Sequence, residues 1–408
     1  MPAVAQNSQF SPYSRFGYGM LDDGASSTQL SMGGIGYAMN NGRQINSMNP
    51  ASYAAIDTLT FLFDIGVNIK QAWTSEETVA GRQHGKRFGG GLNYINMQFP
   101  LGRYMGGSIG LQPYSQIGYS FGDEIVNGEN AYQGSGSINR LYLGVSGRPF
   151  KGFTVGVNVS YLFGNLVNDV YTTATGGTTT LFERALEVQD YDLRFGAQYG
   201  FNFAKNNRLT LGAIFSPGQT FHGKTYGVLY DVTALENNNK EKPDTVGFNR
   251  LKGKYTRPYT VGAGLNYQLG SKLMVEADFT YQPWKDAKYL DIEGYENWQF
   301  DNRWKASLGA QYQPNARGSY LQRIQYRIGG YYNHDYIMAR GNNVEDYGVT
   351  LGFGLPAPIN RFTKTVVNVG LEYRHRTSSP VRLLTENYFQ ITVGINFNEL
   401  WFWQNKIQ

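Results

Sequence analysis

Cysteine is missing altogether from the 408 residues, which removes disulfides, thiolate metal sites and thiol catalysis in one step. Charge is sparse, with Asp, Glu, Lys and Arg together making 16% of the chain. No stretch approaches the roughly 18 consecutive apolar residues of a membrane helix, and mean hydropathy is -0.42. A helical membrane protein is therefore excluded. The few histidines, His84, His222, His334 and His375, show no HExxH spacing and read as solvated surface residues rather than metal ligands. GVSGR (144–148) lacks the second glycine of a nucleophile elbow. GGIG (33–36) and GGG (89–91) open no helix and form no phosphate cradle. The chain is expected not to be an enzyme and to need no cofactor or metal. Its net charge of +5 is scattered, which suits contact with anionic surfaces but not nucleic acid.

What is abundant is glycine and aromatic matter: Gly 51, Tyr 31 and Phe 24, with aromatics at 15%. From about residue 58 to 398 these fall into about fourteen segments of apolar/polar alternation, each near the roughly 9–11 residues of a tilted membrane strand. FTVGVNVSYLF (153–163) sets Phe153, Val155, Val157, Val159, Tyr161 and Phe163 on one face, with Thr154, Gly156, Asn158 and Ser160 on the other. Charge decides the solvent. Asp192, Arg194, Glu276, Asp278, Lys305, Glu372 and Arg374 all fall on the second face, and a one-residue slip would turn each toward lipid at about 2–4 kcal/mol per mid-membrane cation. That second face is otherwise Gly, Asn, Gln, Ser and Thr, which suits a crowded lumen. Its charges read as pairs that hold a filler in place, in preference to a catalytic cluster.

Connections alternate in length. Short ones fall at 100–104, 147–152, 204–208, 269–272, 313–322 and 356–364; long ones at 74–86, 122–137, 164–188, 218–256, 283–300, 334–345 and 376–386. The expected fold is an all-β transmembrane antiparallel β-barrel of about 14 strands in a Gram-negative outer membrane, with periplasmic short turns, external loops and both termini periplasmic. Residues 1–5, ending Ala3-Val4-Ala5, read as a signal-peptide remnant, and 6–57 as an N-terminal luminal plug. The barrel then covers 58–398, and 399–408 form a periplasmic tail. Trp401, Phe402 and Trp403 match an interfacial aromatic rim. Arg374 and Arg376, near the outer end of their strand, are placed to meet lipopolysaccharide phosphates or a solvated rim.

SMNPASYAAID (47–57), just ahead of the first strand, resembles the Asn-Pro-Ala segment of FadL-type outer-membrane transporters for long-chain fatty acids and other hydrophobic compounds. SPYSRFGYG (11–19) and GINFNELWFW (394–403) resemble a divergent subgroup that includes barrels associated with the β-barrel assembly machinery. The resemblance implies that Asn49, Pro50 and Ala51 belong to the plug. It also implies that the third strand, which holds Pro113 in GLQPYSQIGYS, carries an inward kink that opens the wall sideways; a simple bulge at the outer rim is the alternative. After Pro113 the alternation resumes at Ile117, Tyr119 and Phe121, which reads as a return to the membrane face. Two functions follow as expectations. One is passive uptake of a hydrophobic small molecule with lateral release. The other is a non-transporting subunit of an outer-membrane protein assembly complex, partnering another barrel and surface lipoproteins.

Overall fold

The computed structural model describes residues 10–401 apart from 79–80, 178, 205, 232–243, 251–254, 290–297 and 358–364. Fourteen wall strands follow one another antiparallel. They are β1 Thr60–Thr78, β2 Gly81–Gly102, β3 Met105–Ile125, β4 Gly128–Phe150, β5 Phe153–Ala174, β6 Thr179–Ala204 and β7 Asn207–Ser216. After the longest connection come β8 Thr260–Leu269, β9 Leu273–Gln282, β10 Arg303–Tyr312, β11 Gln325–Ala339, β12 Asn342–Ala357, β13 Thr365–Ser379 and β14 Leu384–Leu400. The wall closes where β14 pairs with β1, from Leu400 opposite Thr60 to Leu384 opposite Glu76. Closure leaves no full-length edge, the condition for strands in lipid.

Apart from β3 beyond Leu111, the alternation holds in the membrane belt. Val155, Val159, Leu308, Val349 and Leu351 stand exposed on the outer face, while Asp192, Glu276, Asp278 and Glu372 are buried inside. The short turns lie where the sequence puts them, and the one expected at 356–364 falls mostly outside the described residues. Most of the long connections differ from expectation. β1 and β2 pair up to Thr78 and Gly81, β3 and β4 to Ile125 and Gly128, β5 and β6 to Thr173 and Thr179, and β11 and β12 to Ala339 and Asn342. Stretches such as TSEET and GRQHGKR rise past the lipid, where both faces meet water, so the ladder persists while its apolar alternation vanishes. Within the 218–256 connection, Gly223–Asp231 returns to pair with the upper part of β6.

Residues 10–59 run through the interior. Ser11 and Tyr13 lie at the long-hairpin end, bonded to Glu386 and to the Leu384 carbonyl, and the segment descends through the short helix Ser27–Leu30 and the 3-10 turn Pro50–Ala55 to β1. The described chain thus begins at the mouth opposite to the one where β14 ends; residues 1–5 lie outside the described residues. Glycines on the inner faces make the room. A Cβ on Gly212 would sit 2.0 Å from the Tyr37 carbonyl oxygen, and one on Gly329 2.2 Å from the Met32 carbonyl carbon. Similar approaches recur at Gly106, Gly156 and Gly309, so the belt of small residues is where the segment's backbone touches the wall.

Candidate functional site

Two features concentrate chemistry: the way the wall grips the interior segment, and a break in the wall between β2 and β3. The grip is built from backbone donors that the segment's turns leave without intrasegment partners. On β9, Asp278 accepts the N–H groups of Gly36 and Tyr37 at 2.6 and 2.9 Å, and Glu276 accepts that of Ala38 at 2.9 Å. Carboxyl oxygens that accept backbone N–H groups in a dry interior make firm anchors. Asp23 of the segment receives Arg303 at 3.0 Å and Lys305 at 2.8 Å from β10. Burial alone would raise the Asp23 carboxyl, but these two cations outweigh it and hold the group well below the usual carboxylate range.

Asn49, Pro50 and Ala51 open the 3-10 turn. The Asn49 side chain accepts from the Ala51 N–H at 3.0 Å and donates to the Tyr37 carbonyl at 2.6 Å. Pro50 sits at the first turn position, where no N–H is needed. Ser52, standing after Ala51, donates to the Asn49 and Asn46 carbonyls. Gly196 faces Asn49 so closely that a Cβ there would lie 2.1 Å from its Oδ1.

At the wall break, the β2–β3 ladder ends with Ile95 opposite Leu111. Beyond it Pro113 pairs with Asn139 of β4, and Tyr114 is bulged out of that ladder. β3 turns inward: Gln112–Ser115 and Ile117–Tyr119 are buried without alternation. Ile117 and Tyr119 do not return to the lipid face, as the sequence pattern suggested; they join an interior cluster with Tyr13, Tyr18, Trp284 and Tyr336. Apolar residues on an inward-turned strand keep the period of two while the solvent they face changes. The edge that β3 exposes by turning is taken by the segment. Met20 and Leu21 pair with Gln116 and Ser115, the Asp22 N–H donates to the Tyr114 carbonyl at 2.9 Å, and the Ser11 N–H to Gly118 at 2.8 Å. Across the gap, Arg87 of β2 reaches the Ser120 carbonyl at 3.4 Å.

Arg374 and Arg376 require correction. Tyr373 points outward, so both neighbours at even positions point in. Arg376 is 2% exposed, against Glu386 at 3.4 Å and Asp346 at 3.8 Å, and Arg374 binds Glu372 at 2.7 Å. Their guanidinium groups are arranged for interior carboxylates and not for lipopolysaccharide. Trp401 is exposed at the short-turn end and stacks on Phe61 at 4.3 Å; Phe402 and Trp403 lie outside the described residues. His222 and His334 differ from simple surface histidines, each meeting a carboxylate, Asp190 at 3.0 Å and Asp301 at 3.2 Å. The aromatic cluster at the long-hairpin end is not expected from the alternation. Its signal was Trp284, Trp298 and Phe300 inside a connection too aromatic to be solvated.

The cavity among these groups is small, about 120 Å³, and is lined by charged side chains such as Lys70, Arg303, Asp335 and Glu372. The BamG family model matches residues 1–408. The chain belongs to the BamG family. A sequence search of curated proteins returns no match. Among solved structures, this BamG-family chain is similar to the Pseudomonas putida toluene transporter TodX at 15% identity and TM-score 0.64, over 94% of this chain and 100% of that one. A Pseudomonas aeruginosa FadL homologue matches at 11% identity and TM-score 0.60, over 92% and 98%. The Ralstonia pickettii toluene transporter TbuX matches at 13% and 0.57, over 93% and 99%. These likenesses establish the fold, a FadL-like β-barrel.

Proposed function

We propose that this chain is a non-transporting structural subunit of an outer-membrane protein assembly complex, partnering another barrel and surface lipoproteins. The observation that carries the reading is the occupied interior. Residues 11–56 act as a plug, anchored by Asp278, Glu276, Arg303 and Lys305, and the space above them is packed with aromatic side chains. Pockets for hydrophobic ligands are mainly apolar and span about 300–1,000 Å³. The cavity behind the wall break is far smaller and charged. Membership of the BamG family supports association with the assembly machinery.

The test is gentle extraction of the native barrel with a tag on an external hairpin. Recovery with a second barrel and surface lipoproteins is expected. Recovery of the barrel alone, carrying a lipid-like molecule, would sink the proposal. Passive uptake of a hydrophobic compound with lateral release is the second reading, favoured by the interrupted β2–β3 ladder at Pro113 and by the fold shared with TodX. On that reading Pro113→Ala lowers uptake of an aromatic hydrocarbon by whole cells while the barrel still folds; unchanged uptake leaves Pro113 a bulge.

A further inference from the structure

The short connections of the barrel are basic in sequence. Each of the six carries at least one Lys or Arg, and none carries Asp or Glu. Just inside the short-turn mouth lies a second cavity, of about 760 Å³. Its wall holds four arginines, Arg43, Arg208, Arg317 and Arg323, interleaved with asparagine and glutamine amides, and no carboxylate among the described residues. None of the four forms an ion pair among the described residues. The Nε–H groups of Arg208 and Arg323 are buried and meet no acceptor, as does the Thr365 hydroxyl on the same wall.

Several arginines deeper in the interior meet acids: Arg303 meets Asp23, Arg257 meets Asp192 and Arg376 meets Glu386. Here four cations face one open volume with no carboxylate among the described lining residues, so the site offers donors in excess of its acceptors. We propose that this mouth binds an acidic polypeptide segment of a partner protein. Guanidinium forks match carboxylates, and the Asn and Gln amides offer both donors and acceptors to a peptide backbone. The volume falls within the about 300–1,000 Å³ of ligand sites, and the basic turns around it steer an anion inward. Arg43 belongs to the interior segment, away from the lipid-facing wall, which favours a chain entering the lumen over a lipid headgroup at the rim. The source of the segment rests on the assembly-subunit reading; the site itself does not.

The full barrel in zwitterionic detergent is titrated into a fluorescein-labelled decapeptide rich in Asp and Glu, read by anisotropy. Saturable binding is expected, weakened about tenfold by Arg208→Gln with Arg323→Gln and less than about twofold by Arg103→Gln with Lys151→Gln, which lie on turns outside the cavity. Equal losses in the two double variants, or none in either, would overturn the site in favour of diffuse rim attraction or no binding. Binding of phosphatidylglycerol nanodiscs or inorganic phosphate in place of the peptide overturns it in favour of an anionic headgroup. Heat-dependent gel mobility checks folding; should the first double variant fail to fold, Arg317→Gln, on an exposed turn, is expected to weaken binding about threefold. A barrel that purifies alone yet binds the peptide through Arg208 and Arg323 defeats the subunit reading and keeps the site. A barrel that purifies with partners yet ignores the peptide does the reverse.

Discussion

At Asp23, burial and two cations pull in opposite directions, and the cations win. A carboxyl held below its ordinary value contributes stability that is complete above the unfolded value, about 3.9, and is lost as pH falls below it. Neighbouring Asp22 is raised, chiefly by burial; its term runs the other way, present at low pH and lost as pH rises through its folded value. The interior segment is therefore expected to stay docked near pH 5 and to loosen as acid drops below about pH 4. Hydrogen exchange of the amides at 20–30 checks this, and Asp23→Asn should remove the acid dependence. The same substitution leaves Arg303 and Lys305 facing each other in the interior, so it should weaken docking by about 3 kcal/mol, seen as protease cleavage at lower urea. Gly212→Val sets a side chain against the Tyr37 carbonyl and should displace the 36–39 stretch while the barrel still forms.

β3 is the element where local and distant preferences compete. Pro113 removes one N–H, yet the inward course also rests on the Tyr114 bulge and on the pairing of Met20–Leu21 with Ser115–Gln116. Pro113→Ala is therefore expected to leave the β2–β3 ladder ending at Leu111, with the alternate amides of 82–92 that face away from β1 still exchanging fast. Slow exchange there would show that proline alone holds the break. The break was legible in GLQPYSQIGYS as a defect, but its direction was not. Ile117 and Tyr119 carry the same alternation whether lipid or an aromatic cluster lies beyond them. The hairpins past Thr74 and Phe121 look like loops in the sequence, which marks a strand by the contrast between its two faces, and water on both sides erases that contrast.

For the whole molecule, closure and lipid set the energetics. Leu351, exposed mid-strand and flanked by Val349 and Phe353, should tolerate Phe but lose about 2–4 kcal/mol of folding stability as Arg, measured by refolding into vesicles. Strand number, turn positions and the inward set of Asp192, Glu276, Asp278 and Glu372 were all legible, because each follows from a period of two between unlike surroundings. Arg374 belonged to that same inward set, and its position near a strand end misled the reading of its partner. The arginine-lined mouth was not legible as a site, since Arg43, Arg208 and Arg323 come from an interior segment and two separate turns.

What this sequence determines by itself is the wall: alternation, uncharged outer faces and short basic turns specify a barrel from information held within ten or so residues at a time. What only the tertiary structure decides is occupancy. Ser11 meets Glu386 across 375 positions of chain, Asp23 finds Arg303 on β10, and β3 abandons β2 because the interior segment offers its edge another partner. Those outcomes depend on which of two surfaces, far apart in sequence, wins the same hydrogen bonds and the same volume, and no local pattern records that competition.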